Sequence, residues 1–506
     1  MLVTEMIRVG AQRYGSRIAI SSDKGSLTFT EVDTLSSRIA NTLLARGVKT
    51  HERIGILLGN SINTVPFDFA CLKARLVRVP LNPRLSVIEH GRMLASAGVR
   101  RVVFDPTLSE RASNLESDLD GVEFISLGPN GLGKEDLLEL ARDASPVPSK
   151  LETHPDDPIL ALFTSGTTGT LKAAVHTQRS YSAIVTNILA NLVSPGKDDV
   201  MIHSAPLIHA SGTFVMPFWL RGARAHVLTS FDPATYLKVC QDQAVTHANL
   251  VPTMIQMLLG SHDPRKFQLA LKSLIYGASP MPSATIAQAI ETFGLIFTQY
   301  YGQTEAPLAI TTLSPDEHRP ELGLISSAGM QSVDARLSIL NKDNDEVEIG
   351  EIGEVVVDAP FVMAGYLDAP ALNSETFVSP RRIRTRDLGY RDDRGYLYLV
   401  DRSGDMIISG GYNVYPREVE DVLQAHPFVT GCGVVGTPDP MWVERVVAFV
   451  SIAAGSAVSA DELIAWCRNR LAGYKVPKEI RFVDSIPLSA VGKVLRRSLR
   501  DQLGAL

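Results

Sequence analysis

Nowhere does this sequence hold the roughly 20 unbroken apolar residues that a membrane-spanning helix needs, so no membrane-spanning segment is expected. Cysteine is scarce. Cys71, Cys240, Cys432 and Cys467 are widely spaced and form no CxxC pair, which argues against a disulfide framework and a thiolate metal site. Buried free thiols in a reducing cytoplasm are the simpler expectation. The first residues, Met1-Leu2-Val3-Thr4-Glu5, lack the basic stretch and apolar core of a secretory signal. Charge is not strongly one-sided either: the net value of −6 gives no reason to expect a nucleic-acid partner. No internal repeat and no low-complexity segment is found. A cytoplasmic globular protein is therefore expected.

A chain of 506 residues exceeds what one compact core supports, so two or more domains are expected. Thr30, with Asp33 three residues on, predicts a helix start, and Val32, Leu35, Ile39 and Leu43 recur at helical spacing until Gly47. Residues 53–58 and 101–104 read as short strands and 67–72 as helix. Such alternation predicts largely parallel sheets with helices on their faces, and it continues to about residue 310. From about 332 to 400 the apolar runs shorten and Gly and Pro become frequent, which predicts a smaller β-rich section. Residues 401–411 predict a connection into another unit. Beyond them, helix candidates at 416–425 and 460–471 flank apolar strands at 432–436 and 445–452, enough for a small α+β domain. The expected fold is α/β: a large amino-terminal domain of parallel-rich sheets flanked by helices, with a β-rich subdomain (1–401), then a small mobile α+β domain (402–506).

The most informative segment is Thr164-Ser165-Gly166-Thr167-Thr168-Gly169-Thr170-Leu171-Lys172, directly after the apolar run 159–163. It predicts a strand followed by a flexible loop. Glycines let backbone N–H groups approach an anion, hydroxyls add donors, and one lysine supplies charge. That combination suits a polyphosphate, although by composition alone a Ser/Thr-rich surface turn reads equally well. It is not the Walker loop, which needs Gly and Ser or Thr where this sequence has Leu171 and Ala173.

Four further segments follow in order: Tyr301-Gly302-Gln303-Thr304-Glu305, Thr385-Arg386-Asp387-Leu388-Gly389, residues 401–420 with Gly410-Gly411-Tyr412, and Gly492-Lys493-Val494-Leu495-Arg496. Together with 164–172 these closely resemble the ordered motifs of the adenylate-forming superfamily, which holds acyl-CoA synthetases, peptide-synthetase adenylation domains and firefly luciferases. The resemblance runs from Leu27-Thr28-Phe29 onward.

What the resemblance implies is specific. The reaction would join a carboxylic acid to ATP as an acyl-adenylate, then pass the acyl group to a thiol, with ATP, Mg²⁺ and coenzyme A as cofactors and co-substrates. Lys172 with Ser165, Gly166, Thr167, Thr168 and Gly169 would hold the β- and γ-phosphates. Thr164 and Glu305 would help place Mg²⁺, a hard cation that prefers oxygen ligands. Tyr301 would stack on adenine, within the segment that continues through Gly302, Gln303 and Thr304. The backbone of Gly277, Ala278 and Ser279 would run along the base edge. Asp387 would accept from the ribose hydroxyls, and Arg402 would reach ribose or phosphate. Lys493 would bridge the substrate carboxylate and the α-phosphate, and Gly410 and Gly411 would line the thiol tunnel.

Pro206-Leu207-Ile208-His209 resembles the Pro-Leu-Phe-His segment of acyl-CoA synthetases, so His209 is expected beside the acid pocket. Amino-acid-activating domains usually carry Asp at that place. A mostly neutral histidine favours another acid, with an apolar or aryl carboxylate expected over a diacid. No carrier motif follows before Leu506, so a free-standing ligase using CoA is expected. An enzyme loading a separate acyl carrier protein and a non-catalytic nucleotide-binding relative are the alternatives, and a homodimer is compatible with all three. Five positions depart from the family pattern: Leu171 in place of Pro, Ala173 and Arg386 in place of Gly, Gly404 in place of Asp or Lys, and Tyr412 in place of Glu.

Overall fold

The computed structural model describes residues 1–164, 171–261, 263–279, 281–402, 404–409, 412–439, 442–453, 455–489 and 493–504. They form four β-sheets with helices packed against them. One seven-stranded sheet runs in the order Gly365–Tyr366, Lys172–Thr177, Pro158–Thr164, Val77–Pro80, Arg53–Leu57, Arg101–Phe104, Glu123–Ser126. Its last five strands are parallel, and its first two pair antiparallel. A nine-stranded sheet holds a parallel centre formed by Phe297–Gln303, Ser273–Gly277, His247–Leu250, Val200–His203, Arg224–Val227 and Ile18–Ser22. Strands such as Val77–Pro80 and Val200–His203 are buried along their whole length, as strands covered on both faces must be. The predicted parallel sheets are present.

A third, antiparallel sheet of five strands lies between residues 336 and 402, where the β-rich section was expected. The fourth contains only strands from 407 onward, and its long hairpin Val429–Asp439 with Val443–Ile452 closes over a core of its own that includes Val419, Val434, Ala448 and Leu463. The fold is thus mixed α/β, with a large amino-terminal domain and a smaller carboxy-terminal one.

Several local expectations are corrected in detail. The helix expected to begin at Thr30 is Phe29–Ala45, capped by Thr28. The Thr28 hydroxyl accepts from the Glu31 N–H, while the Glu31 carboxylate accepts from the Thr28 N–H at 2.7 Å, a complete capping box. Thr30 and Asp33 sit inside the helix. The helix expected over 67–72 is Thr64–Lys73, longer because nearly every side chain in it is buried and no polar stripe marks its ends. All four cysteines are buried and free. Among the described residues no helix is long and apolar enough to cross a membrane.

Candidate active site

Strand Pro158–Thr164 leads into the glycine- and hydroxyl-rich loop, and the chain returns as strand Lys172–Thr177 in antiparallel register, Thr164 opposite Lys172. The expected phosphate-binding residues Ser165, Gly166, Thr167, Thr168 and Gly169 lie outside the described residues. The two that flank them are brought side by side at the sheet end. Lys172 then reaches toward a buried carboxylate. Its Nζ lies 3.7 Å from Glu305 Oε1 and 3.1 Å from the Tyr366 hydroxyl, which itself donates to Glu305 Oε1 at 2.5 Å. The ammonium also stands 4.7 Å from the Tyr366 ring centroid, a cation–π distance.

Backbone pairing explains this cluster. Gly365–Tyr366 adds to the edge of Lys172–Thr177 with Tyr366 opposite Ala174, two residues from Lys172 and so on the same face. Leu367 N–H donates to Ala173 O at 2.9 Å, and Met363 N–H donates to Glu305 O at 2.8 Å. Residues 363–367 therefore bracket the lysine strand and the Glu305 turn together. Asn373 fixes the tyrosine itself, accepting from its N–H at 2.6 Å and donating to its C=O at 3.0 Å. On the other side, His176 Nε2 donates to Thr304 O at 2.8 Å, and burial holds this histidine below its usual pKa and hence neutral. Tyr366, Asn373 and His176 were not anticipated from sequence. Nothing in their local residue types marks them, because their partners are remote in the chain.

The residues expected to take the nucleoside lie where two sheets meet. The Tyr301 hydroxyl donates to Asp387 Oδ2 at 2.6 Å, joining the nine-stranded sheet to the third. Asp387 is 7% exposed and faces Arg402 across the ladder; the Arg402 side chain lies outside the described residues. The register between Gly353–Asp358 and Arg382–Arg391 shifts here, so that Thr385, Arg386 and Asp387 bulge opposite Val355. A bulge bends a strand and re-aims its side chains. Its central residue, Arg386, has φ +62°, the left-handed conformation that glycine adopts without cost.

Gly277 ends its strand beside Tyr300, and a Cβ there would lie 2.4 Å from Tyr300 O. Ala278 follows at φ +69°. Ser279 is half-buried. Gly302 sits at a register shift where a Cβ would meet Leu308 O at 2.1 Å. Only glycine fits at both points of close backbone approach. Beside Gly302, the Gln303 Nε2 is buried with no partner among the described residues, a donor that a ligand can satisfy.

His209 stands in a tight loop that Asn60 grips from outside, accepting from Leu207 N–H at 2.8 Å and donating to Ala205 O and Leu228 O at 3.0 Å each. Within the loop, Ser211 Oγ pairs with His203 Nδ1 at 2.9 Å. His209 Nε2 has no partner among the described residues, and burial pushes its pKa down to about 4, so the ring is neutral near pH 7. A small cavity of about 30 Å³ adjoins this loop, walled by Phe67, Leu72, Leu207 and Met216, with Thr64, Asp68 and Tyr181 as polar groups.

Lys493 lies in the small domain, where its N–H donates to Ser489 Oγ at 3.1 Å and its C=O accepts from Ser489 N–H at 2.6 Å. Three residues on, Arg496 binds both Glu420 oxygens at 2.7 and 2.8 Å, tying this segment to helix Pro416–Gln424. Gly410 and Gly411 lie outside the described residues. Tyr412 is exposed and stacks on Tyr474 with ring centroids 4.7 Å apart. The geometry thus brings Lys172 and Glu305 into one cluster, with Thr164 opposite Lys172 in the ladder, and Tyr301 with Asp387 into a second. His209 stands on a loop of its own.

The model of the AMP-binding enzyme family matches residues 7–367, and that of the AMP-binding enzyme C-terminal domain matches 418–493. A feruloyl-CoA synthase of Amycolatopsis sp. is 35% identical over 482 residues, covering 95% of this chain and 94% of its own. The medium/long-chain-fatty-acid–CoA ligase FadD8 of Mycobacterium tuberculosis is 34% identical, covering 90% of this chain and 82% of its own. The solved structure of the amide bond synthetase McbA from Marinactinospora thermotolerans superposes with a TM-score of 0.89 at 28% identity, covering 99% of both chains. The chain belongs to the AMP-binding enzyme family, within the adenylate-forming superfamily. Its class there is that of the AMP-forming acid–CoA ligases, which use ATP and CoA.

Proposed function

We propose that this enzyme activates an apolar or aryl carboxylic acid with ATP and transfers the acyl group to coenzyme A. The observation that carries the proposal is a pair of clusters: Lys172 with Tyr366 and Glu305, and Tyr301 with Asp387. The first is suited to a polyphosphate and the second to a ribose diol. In the first half-reaction a substrate carboxylate oxygen attacks the α-phosphorus, and the bond to pyrophosphate breaks. In the second the CoA sulfur attacks the acyl carbonyl, AMP leaves and the thiol proton is released. Neither step needs an enzyme nucleophile, so catalysis rests on alignment and charge stabilisation.

Each residue has a role in that scheme. Lys172 and the 165–169 loop hold the leaving phosphates, Tyr301 and the 277–279 backbone take the base, and Asp387 with Arg402 takes the ribose. Lys493 bridges the carboxylate and α-phosphate, on a mobile unit spanning 402–506 that moves against 1–401. Gly410 and Gly411 leave room for pantetheine. A divalent cation, Mg²⁺, supplies charge neutralisation on the phosphates when bound, and Glu305 and Thr164 would hold it. Among the described residues no cluster of three acidic, histidine or cysteine ligands exists, so such an ion would share its coordination with the nucleotide, as Mg²⁺ commonly does. The neutral His209 suits an uncharged acyl body, and a cytoplasmic setting suits four buried free thiols.

The test is ATP-dependent pyrophosphate release across short, medium, long-chain and aryl acids, with CoA or a phosphopantetheinyl carrier protein as acceptor. Acid-dependent release, acyl-CoA formation and near-complete loss in Lys493→Ala are expected. ATP binding without release for any acid would overturn the catalytic reading, and acylation of the carrier protein alone would overturn CoA as acceptor.

A further inference from the structure

Between Lys172 and Glu305 stands the phenol of Tyr366. The Tyr366 hydroxyl accepts from Lys172 Nζ at 3.1 Å and donates to Glu305 Oε1 at 2.5 Å, while the direct lysine–glutamate separation is 3.7 Å. Glu305 is 7% exposed and Tyr366 5%. At such burial an ammonium and a carboxylate left to themselves close to a direct charge-assisted contact of about 2.8 Å. Here the hydroxyl fills the gap as acceptor on one side and donor on the other. The ring face beneath the ammonium adds a second hold on it. Tyr366 is itself clamped through both backbone polar groups by Asn373, and its flanking residues are hydrogen-bonded to the strand bearing Lys172.

We propose that Tyr366 is a positioning residue that keeps Lys172 and Glu305 spaced apart and aimed for the β- and γ-phosphates and their cation. The inference rests on the phosphate-site reading above. A closed Lys172–Glu305 pair would have to be broken each time ATP arrives, cancelling charge that both groups otherwise offer to phosphate and metal. The phenol lets both groups satisfy their hydrogen bonding without meeting. When nucleotide enters, the lysine can exchange its bond to a neutral hydroxyl for bonds to phosphate oxygens, and the carboxylate can turn an oxygen to the cation. No covalent step is involved.

The test is equilibrium binding of a non-hydrolysable ATP analogue by calorimetry, with and without Mg²⁺, to wild-type protein, Tyr366→Phe and Asn373→Ala. Hydrogen bonds to charged groups are worth enough that removing the hydroxyl should weaken Mg²⁺-dependent binding about five- to thirtyfold. Steady-state kinetics should show KM for ATP rising by a similar factor, with KM for the acid changed less than twofold. Asn373→Ala, which keeps the phenol but frees its backbone, should weaken binding in the same direction by a smaller factor. Should Tyr366→Phe fail to fold, Asn373→Ala alone decides, since unchanged affinity there would overturn the proposal. Unchanged nucleotide affinity in a folded Tyr366→Phe protein, or equal losses for ATP and acid, would also overturn it. A wild-type protein that binds no nucleotide would overturn the phosphate-site reading instead.

Discussion

Replacing Asp387 by asparagine separates a ribose-binding role from a merely structural one. The carboxylate is buried and accepts the Tyr301 hydroxyl at 2.6 Å. A carboxylate has about four acceptor positions, so the bond to Tyr301 leaves capacity for the two hydroxyls of a ribose. The substituted amide would keep one carbonyl oxygen, enough for Tyr301, but would present N–H donors to a hydroxyl that needs an acceptor. One charge-assisted bond is then lost and another weakened. At about 1.5–3 kcal/mol for a hydrogen bond to a charged group, the loss is about 2 kcal/mol, or roughly thirtyfold in Kd. Calorimetric titration with ATP and with 2′,3′-dideoxy-ATP gives the check. The wild type should prefer ATP by at least about thirtyfold, and Asp387→Asn should lose most of that preference with an unchanged melting temperature. A variant that weakens both equally while keeping its preference for ATP would refute the reasoning, because the effect would then come from the fold.

Two further predictions concern stability. Arg496→Met strands Glu420 and weakens the hold on Asp405, so the small domain should lose about 3–5 kcal/mol; urea unfolding followed by the fluorescence of Trp442 and Trp466 measures it, and the double change with Glu420→Gln should recover most of the loss. Burial lowers the pKa of His203 to about 3 and of His209 and His226 to about 4, from an ordinary 6.5. Their unfolded forms take up protons that the folded forms refuse, so stability is full above about pH 6.5 and falls as pH drops toward 4, by up to about 1.4 kcal/mol per histidine per pH unit. Melting temperatures constant from pH 7.5 to 5 would contradict this.

The elements that a local pattern can mark were legible. Strand Arg101–Phe104 and helix Pro416–Gln424 lie where the apolar spacing put them. What could not be read was set by partners distant in the chain. Tyr366 meets Lys172 across 194 residues and Glu305 across 61, and Asn60 grips a loop 145 residues later. Neither pairing leaves a trace in local periodicity. Thr28 was overlooked for a different reason: Thr30 and Asp33 offer the same cap chemistry two residues on, and only the closed Thr28–Glu31 box decides between them. Clamps of this kind belong to the packed chain rather than to any window of it.

The departures from the family pattern acquire physical reasons on the same terms. Ala173 is buried in the core cluster that holds Val79 and Phe104, and the partly buried Leu171 packs against it, so both side chains turn inward where the family pattern has Gly and Pro. Arg386 is the instructive case. A left-handed backbone at a residue with a Cβ costs about 1–2 kcal/mol, yet this one is held from several sides. Its N–H donates to Glu354 Oε1 at 3.2 Å, and its guanidinium lies 3.3 Å from Glu375. Thr385 Oγ1 donates to Val355 O at 2.7 Å and accepts from Asp387 N–H at 3.1 Å. These bonds fix the bulge independently of what residue 386 prefers, so the orientation of Asp387 does not depend on a glycine being there. The strained arginine is tolerated because its neighbours determine the turn, and the cation it adds stays paired with a carboxylate.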